Sequence, residues 1–280
     1  MVRLSSPPLA LRPFLKWAGG KRQLLPELLR YAPASYGRYY EPFIGGGALL
    51  LTLQPGQAII SDRNPELINC YQMVKDSVED LIEHLQQHRN EKTYFYKVRS
   101  WDREATFADK TNVQRAARII FLNKTCYNGL FRVNSKGQFN APFGRYKNPT
   151  IADATVLRNI SRYLNQANVT ILQADFATTV ASACQSDFVY FDPPYDPVST
   201  TASFTGYDRS GFDRTEQQRL KMVVDELTRR ECKVLLSNAS TDFIRDLYQD
   251  YRCTCVRATR AINSKATKRG KVDEILVMNY

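Results

Sequence analysis

Hydrophobic and polar positions follow two different periods along this chain. A helical period predicts a helix over residues 21–31, and short runs rich in β-branched and aromatic residues predict strands. The predicted strands cover residues 38–43, 57–61, 169–172, 188–191 and 233–237. Two later β-like runs, over 251–259 and 272–279, predict an antiparallel hairpin at a sheet edge. The pattern as a whole indicates an α/β fold.

A long polar stretch interrupts this alternation. Residues 64–166 are mostly helical by pattern, with a turn-rich centre at 134–137. We expect this stretch to be an inserted domain. The remaining residues, 1–63 and 167–280, would then form one α/β domain.

Charge is distributed unevenly, with 39 lysines and arginines against 28 acidic residues. Residues 110–150 contain eight basic residues and no acidic one, and six aromatic residues are interleaved with them. Such a block suits a polyanion whose bases can be stacked upon, which favours nucleic acid over a solvated basic face. A second acid-free block, residues 257–271, contains six basic residues, and a loop explains it equally well.

Composition excludes several classes of protein. No apolar run approaches the length of a membrane span and no secretory leader is visible, so we expect a cytoplasmic protein that does not bind membranes. The six cysteines are scattered, without a zinc pattern. His84 and His88 share a helical face, but no carboxylate or cysteine cluster completes a metal site. We therefore expect a solvated helix face there and no metal.

A glycine loop over residues 41–47 follows the first predicted strand, and a helix is predicted over 48–54. The loop does not match the dinucleotide fingerprint, and no Lys-Ser or Lys-Thr pair follows it, which argues against a triphosphate. Asp62 ends the next strand, fifteen residues after Gly47. A carboxylate at that place can accept hydrogen bonds from ribose hydroxyls. Together these features favour a nucleoside ligand without a phosphate.

The tetrapeptide Asp192-Pro193-Pro194-Tyr195 follows the apolar run 187–191. Asp192 should lie at the carboxyl end of a buried strand, where open α/β sheets bind ligands. Its carboxylate and the Pro193 carbonyl can accept the two hydrogens of a ring amine, and Tyr195 offers a face for stacking. The alternative is an ordinary Asp-Pro-Pro turn at a strand end.

Five motifs occur in one order along nearly the whole chain: residues 14–21, 41–47, 127–132, 139–147 and 192–195. In these motifs the chain resembles the DNA adenine-N6 methyltransferases of the Dam type, in the alpha group of amino-methyltransferases. The resemblance implies a doubly wound Rossmann-like methyltransferase sheet with an antiparallel last strand, plus a mostly helical inserted target-recognition domain. It also implies methyl transfer from S-adenosylmethionine to adenine N6 in double-stranded DNA.

The resemblance assigns seven residues to S-adenosylmethionine. They are Trp17, Lys21, Phe43, Gly45, Asp62, Asp175 and Asp192. Lys21 suits the methionine carboxylate, Asp175 the cofactor adenine's amino group, and Trp17 the cationic sulfonium, with a core anchor as the alternative for Trp17. Asp192, Pro193, Pro194 and Tyr195 form the catalytic motif. Because the target amine is paired in a duplex, the base must be flipped out. The loop 199–212, with Phe204 and Tyr207, is a candidate lid or a disordered connection.

Target recognition is assigned by the same resemblance to the insertion. Arg132, with Leu130 and Pro142, contacts the target bases, Tyr127 inserts into the base stack, and Lys16 adds a base contact. Asn128 belongs to the same motif, and the expected phosphate anchors are Arg99, Lys124, Asn134 and Arg145. The match around Arg132 predicts the site GATC, methylated at adenine. Phe131 is a departure that we do not expect to alter specificity.

Three other functions remain open at this level. A cytosine-N4 methyltransferase uses similar chemistry, although its tetrapeptide usually begins with serine, and it would yield N4-methylcytosine. A protein-glutamine methyltransferase would not need the basic block at 110–150 and would act on DNA-free peptide. A non-enzymatic DNA-binding protein is disfavoured by Asp192, Asp62 and Lys21. We expect a monomer, and the sequence says nothing about a companion restriction enzyme.

Overall fold

The computed structural model describes residues 11–17, 19–197, 211–259 and 271–280 of the chain. Contacts divide the chain into two compact units. Unit 1 contains the described residues of Met1–Gly20, Gly45–Gly56 and Asp62–Gln173, and unit 2 those of Lys21–Ile44, Gln57–Ser61 and Ala174–Tyr280. The independent inserted domain at 64–166 stays a prediction.

Helices and strands alternate much as the hydrophobic pattern predicts. The helices are α1 Leu25–Tyr31, α2 Ala48–Leu53, α3 Pro65–Asp76, α4 Val78–Gln86, α5 Lys92–Ser100, α6 Asn112–Thr125, α7 Ala154–Gln166, α8 Phe176–Thr179, α9 Arg214–Arg229 and α10 Asp242–Leu247. The strands are β1 Tyr39–Glu41, β2 Gln57–Asp62, β3 Asn168–Gln173, β4 Phe188–Phe191, β5 Lys233–Ala239, β6 Arg252–Thr259 and β7 Lys271–Met278. Short 3-10 turns lie at Lys21–Gln23, Trp101–Arg103, Ala105–Asp109 and Tyr127–Gly129.

The strands form a seven-stranded sheet in the order β3-β2-β1-β4-β5-β7-β6. β1 pairs in parallel with β2 and with β4, and β4 pairs in parallel with β5. β7 is antiparallel to both β5 and β6. The predicted α/β class and its antiparallel end are therefore confirmed. The strand order reverses direction between β1 and β4, and open sheets of this kind bind ligands at that switch point.

The core of unit 2 lies against the central strands. All four residues of β4 are buried, which explains its uninterrupted apolar sequence. Helix α9 presents Leu220, Val224 and Leu227 to the cluster that includes residues of β4 and β5. An apolar stripe on an otherwise polar helix is typical of packing against a sheet. The predicted catalytic tetrapeptide thus directly follows a strand in the core of this unit.

Unit 1 contains α3 to α7, so the predicted helical character of this stretch is confirmed. Helix α6 begins with a capping box between Thr111 and Gln114, and most of its length is buried. Its Arg118 is only 2% exposed and forms an ion pair with Asp102 at 2.7 Å. Asp102 also accepts a hydrogen bond from the Phe139 amide at 2.7 Å. One cation of the basic block is therefore a buried structural residue, which its composition alone conceals.

Two expectations from composition have structural outcomes. No helix of the described residues is long and apolar enough to cross a membrane. No cluster of histidine, cysteine and acidic side chains suitable for a metal ion occurs in the same residues.

The expectation of a solvated face at His88 is wrong, because α4 ends before it and its ring stacks on Phe121 at 4.5 Å. Burial lowers the pKa of His88 to about 4.

Candidate active site and DNA interface

Asp192 directly follows β4, a strand whose four residues are all buried. Its Oδ1 accepts a hydrogen bond from the Ser237 hydroxyl of β5 at 3.0 Å and lies 2.8 Å from the Lys21 ammonium nitrogen. Burial raises the pKa of Asp192, and the Lys21 charge offsets only part of that effect. The result is an oriented carboxylate acceptor with more affinity for a proton than an ordinary aspartate.

Lys21 contacts Asp192 and Tyr195, the two side chains that a substrate amine would use. Its side chain is almost buried, and its ammonium lies 4.4 Å from the centre of the Tyr195 ring as well as beside Asp192. A cation over an aromatic face beside a carboxylate is favourably placed. A planar amine that stacks on Tyr195 and donates to Asp192 must share this position with Lys21 or displace it.

The Tyr195 hydroxyl is held by a residue of another strand, β7. This hydroxyl donates to Oε2 of Glu274 at 2.7 Å, and Glu274 is an 8% exposed residue of β7 paired with Ala239 of β5. Burial raises the pKa of the Tyr195 hydroxyl, and the nearby acids raise it further. Tyr195 therefore stays protonated and acts as a donor to Glu274.

A buried polar network holds the backbone after the proline pair. The side-chain amide of Gln217 donates to the Pro194 carbonyl at 2.8 Å, and the side-chain amide of Asn238 donates to Gln217 Oε1 at 3.1 Å. Asn238 accepts from the Asp196 amide at 3.0 Å, and Asp196 accepts from the Thr241 hydroxyl at 2.7 Å. Because buried polar groups are costly unless paired, this closed network rigidifies the tetrapeptide.

Asp175 caps α8 and is engaged by a residue that the sequence did not reveal. Its Oδ1 accepts from the Ala177 amide at 2.9 Å, and both carboxylate oxygens accept from Arg219 at 2.9 and 2.7 Å. The Arg219 guanidinium also lies 4.0 Å from the Phe176 ring centre. Asp175 is thus a firmly held carboxylate at the N-terminus of α8.

Phe43 is a core residue as much as a candidate ligand contact. Its ring stacks on Phe176 at 5.5 Å and meets Phe191 and Phe212 edge-on at 6.4 and 5.6 Å. Aromatic pairs at these separations stabilise through their edges and faces. Phe43 thus supports the loop that follows β1, and its contact with the cofactor stays a prediction.

The glycine loop of unit 1 is built around Trp17. Gly45 has a φ of +46°, and a Cβ there would lie 3.0 Å from Cδ1 of Trp17. Its carbonyl accepts from the Tyr71 hydroxyl at 3.0 Å. Asp62 accepts from the Asn64 amide at 3.0 Å, and its other oxygen lies 3.5 Å from the Gly45 amide nitrogen. The close approach of backbone and indole explains why this position is glycine.

The predicted DNA contacts between residues 127 and 142 are here called the recognition loop. The buried Asn123 ties Lys16 to this loop. The Lys16 amide donates to Asn123 Oδ1 at 2.8 Å, and the Asn123 amide donates to the carbonyls of Lys16 and Gly129 at 2.6 and 2.9 Å. Gly129 has a φ of +64°, and a Cβ there would lie 2.6 Å from that of Lys16. The Lys16 ammonium lies 4.0 Å from the Tyr146 ring centre. Unit 1 therefore holds Lys16, a predicted base contact, beside the predicted recognition loop.

The recognition loop presents its predicted contacts outward. Tyr127 is 48% exposed, which is unusual for a large aromatic side chain, and its amide donates to the Pro142 carbonyl at 2.8 Å. Asn128 adopts a left-handed backbone with a φ of 55°. Asn128 and Pro142 are exposed and Leu130 is half-buried. An exposed aromatic in a basic loop is typical of a base-contacting residue.

Arg132 is exposed but oriented. Its Nε donates to Asn140 Oδ1 at 2.7 Å and its Nη2 to the Asn140 carbonyl at 3.1 Å. A guanidinium has five donors, so three are left for a ligand. Asn134, by contrast, accepts from the amides of Lys136 and Gln138 at 2.9 and 3.0 Å and closes the turn. A phosphate contact of Asn134 would have to use the hydrogen-bonding groups of this side chain that the turn leaves available.

The remaining predicted phosphate anchors differ in exposure. Arg145 is exposed, whereas Arg99 is partly buried and donates to the Ala141 carbonyl at 3.2 Å. Burial lowers the pKa of the Arg99 guanidinium. Burial, reinforced by the charge of Lys16, lowers the pKa of Lys124 to about 8. Lys124 is thus a cation whose charge changes near neutral pH.

Two predicted features lie largely outside the described residues. The candidate lid at 199–212 is described only from Gly211 onward, so Phe204 and Tyr207 fall outside. Most of the basic block at 257–271 also falls outside. Both stay predictions.

Sequence reasoning missed the residues that position the others. They are Asn123, Gln217, Arg219, Ser237, Asn238 and Glu274. One signal was available for three of them. Ser237 and Asn238 interrupt an apolar strand, and Glu274 stands within another, and a polar residue in a buried strand needs a specific partner.

Comparisons of sequence relate the chain to known DNA methyltransferases. The family model described as D12 class N6 adenine-specific DNA methyltransferase matches residues 17–262. The type II methyltransferase M1.LlaDCHI of Lactococcus lactis subsp. cremoris is 47% identical, over 96% of each chain. The type II methyltransferase M.MjaIII of Methanocaldococcus jannaschii is 44% identical, over 96% of this chain and 99% of that one. The DNA adenine methylase of Serratia marcescens is 36% identical, over 95% and 98%. The chain belongs to the D12 class of N6 adenine-specific DNA methyltransferases.

Proposed function

We propose that this chain transfers a methyl group from S-adenosylmethionine to N6 of an adenine flipped out of a GATC site in double-stranded DNA. The family supports the reaction, and the motif around Arg132 supports the site. We further propose that the protein acts as a monomer in the cytoplasm, at the nucleoid where its DNA substrate lies. The observation that carries the proposal is the oriented, partly buried carboxylate of Asp192 beside the stacking face of Tyr195.

Asp192 and the Pro193 carbonyl hold the two N6 hydrogens of the flipped adenine. This pairing favours a lone pair on nitrogen and directs it along the line of attack, so positioning and electrostatics supply most of the rate. S-adenosylmethionine supplies the methyl group on a positively charged sulfur. As the N6–methyl bond forms, the sulfur–methyl bond breaks, the sulfur becomes neutral and N6 carries a surplus proton. Asp192, whose pKa is raised by burial, is the adjacent acceptor for it.

Each cofactor residue has a role that its own contacts support. Asp62 accepts from the ribose hydroxyls at the end of β2, and Gly45 permits close approach of the backbone beside Trp17. Asp175, the N-cap residue of α8, accepts from the amino group of the cofactor adenine. Lys21 moves from Asp192 to the methionine carboxylate when the target amine arrives. The roles of Trp17 and Phe43 are proposed from the resemblance.

DNA is held by residues of the insertion together with Lys16. Arg132 donates to a guanine, and Leu130, Pro142 and Lys16 contact bases beside it. Tyr127 enters the stack in place of the flipped base, for which its exposure is favourable. The phosphate anchors are proposed to be Arg99, Lys124, Asn134 and Arg145, with Asn128 shaping the loop.

Plasmid digestion tests base, site and activity together. Plasmid DNA free of adenine methylation is incubated with the protein and S-adenosylmethionine, then cut with two enzymes specific for GATC. One cuts only unmethylated sites and the other only methylated sites. We expect protection from the first and cleavage by the second, and neither effect with Asp192→Ala. Methyl incorporation without protection would contradict the GATC assignment alone.

A further inference from the structure

Phe131 lies between two groups with different proposed roles. Its ring stacks on the indole of Trp17, with centroids 5.2 Å apart and planes 26° apart. Trp17 is proposed to line the cofactor site, and the residue after Phe131 is Arg132, the proposed base contact. One stacked pair therefore joins a cofactor residue to a base-contacting residue.

The Trp17 indole has little room to move independently. On one side a Cβ at Gly45 would lie 3.0 Å from its Cδ1, and one at Gly46 would lie 3.6 Å from its Cβ. On the other side lies the Phe131 ring. Because packed side chains shift together, displacement of the indole by a ligand is transmitted to Phe131.

The recognition loop is equally unable to absorb such a shift. Phe131 meets the buried Phe139 edge-on at 5.7 Å. The Arg132 carbonyl accepts from the Asn140 amide at 2.8 Å, and its guanidinium donates to the same residue. Asn123 clamps Gly129 to Lys16 just before. A movement of Phe131 therefore reorients Arg132 with its whole turn.

We propose that Phe131 couples cofactor binding to target recognition, so that each ligand raises the affinity for the other. This rests on the proposed function, because it takes the roles of Trp17 and Arg132 from there. Coupling between two sites is reciprocal, and its usual size is about 5- to 150-fold in affinity. Phe131 thus links the affinity for target DNA to the cofactor, without itself selecting a base.

A packing role alone makes a different prediction. If Phe131 only filled the core of unit 1, replacing it would change stability and leave the coupling between the ligands intact. Phe143 provides a matched control. It is another partly buried phenylalanine on the same aromatic cluster, and its ring lies 5.3 Å from that of Phe95.

The test measures the dissociation constant of a target duplex with and without saturating sinefungin, an analogue of S-adenosylmethionine that has no transferable methyl group. We expect about tenfold tighter binding with sinefungin for the wild type, Phe131→Tyr and Phe143→Leu. For Phe131→Leu we expect less than about twofold, with affinities for each ligand alone nearly unchanged. Thermal melting checks that all variants fold.

Two results overturn the coupling role. One is an equal coupling factor in Phe131→Leu and the wild type, and the other is an equal loss in Phe143→Leu. Failure of the proposed function has a separate signature, because a wild type that binds no sinefungin contradicts the donor itself. If the plasmid assay finds another adenine site, the duplex carries that site instead.

Discussion

The hydroxyl of Tyr195 donates a 2.7 Å hydrogen bond to the buried carboxylate of Glu274 on β7. This contact links the catalytic tetrapeptide, which follows a parallel strand, to the antiparallel strand of the same sheet. It fixes the angle of the ring on which the flipped adenine is proposed to stack. The antiparallel end of the fold thereby contributes directly to the candidate active site.

Replacing Glu274 should therefore slow methyl transfer through Tyr195. In Glu274→Leu the acceptor is lost, and we expect the single-turnover rate to fall about tenfold, the effect of losing about 1.4 kcal/mol of positioning. Glu274→Gln keeps an acceptor oxygen and should retain most of the rate. Rates measured with saturating duplex and cofactor check this, and a normal rate in a folded Glu274→Leu would show that the contact is only structural.

The rate of methyl transfer should begin to fall at a higher pH than the titration of an ordinary aspartate would require. Burial raises the pKa of Asp192, and the protonated acid has lost the acceptor that N6 needs. As the pH drops, the rate should therefore begin to fall above the usual aspartate value of about 3.9. Because the native pKa is raised, protonation of Asp192 favours the folded state, so this loss is not unfolding at that residue.

Lys21 provides a second check on the same group. Its ammonium lowers the pKa of Asp192, so Lys21→Met should move the acid limb of the rate profile to higher pH. The pH profile of kcat/KM for the duplex, between about pH 5 and pH 8 with cofactor held at saturation, measures the shift, because it reports the enzyme before the target amine arrives and displaces Lys21. An unchanged acid limb in Lys21→Met would mean that another group controls it.

DNA affinity should decrease as the pH rises through the pKa of Lys124, which is about 8. A lysine contributes to phosphate binding only while it is charged, so binding should be tighter near pH 7 than near about pH 9. Lys124→Arg stays charged and should bind equally at both. Fluorescence anisotropy at constant ionic strength measures the affinities. Identical pH dependence in the two proteins would remove Lys124 from the phosphate anchors.

Asn123→Ala should destabilise unit 1 and disturb the recognition loop. The substitution leaves the Lys16 amide and the carbonyls of Lys16 and Gly129 without their side-chain partner. Buried polar groups left unpaired cost about 1–3 kcal/mol each, and we expect the free energy of unfolding to fall by about 3 kcal/mol. Denaturant titration measures it, with Asn148→Ala at an exposed position as the control. A change of less than about 1 kcal/mol would contradict the clamp.

The hydrophobic pattern predicted the sheet well because its central strands are buried on both faces. The predicted strand at 188–191 coincides with β4, and the others differ at their ends by a few residues. The tetrapeptide at Asp192 was visible because its residue types follow one another in sequence. Continuous apolar strands and contiguous motifs are the features that a single sequence expresses directly.

The positioning residues were hidden because their partners are distant in sequence. Gln217 lies on an amphipathic helix, where a polar residue ordinarily faces water, yet it is buried against the Pro194 carbonyl. Arg118 looked like part of a DNA-binding surface, and its partner Asp102 lies outside the acid-free block. Pairings of this kind depend on the tertiary fold and leave no periodic signal.

The central claim is that Asp192 directs methyl transfer to adenine N6 within GATC. The most direct measurement incubates tritiated S-adenosylmethionine with a duplex that contains one GATC site, followed by digestion to nucleosides and chromatography. We expect all label in N6-methyladenine, none with Asp192→Ala despite near-normal DNA binding, and none with a duplex whose site is changed to GTTC. Label in N4-methylcytosine, or equal label in the Asp192→Ala reaction, would contradict the account.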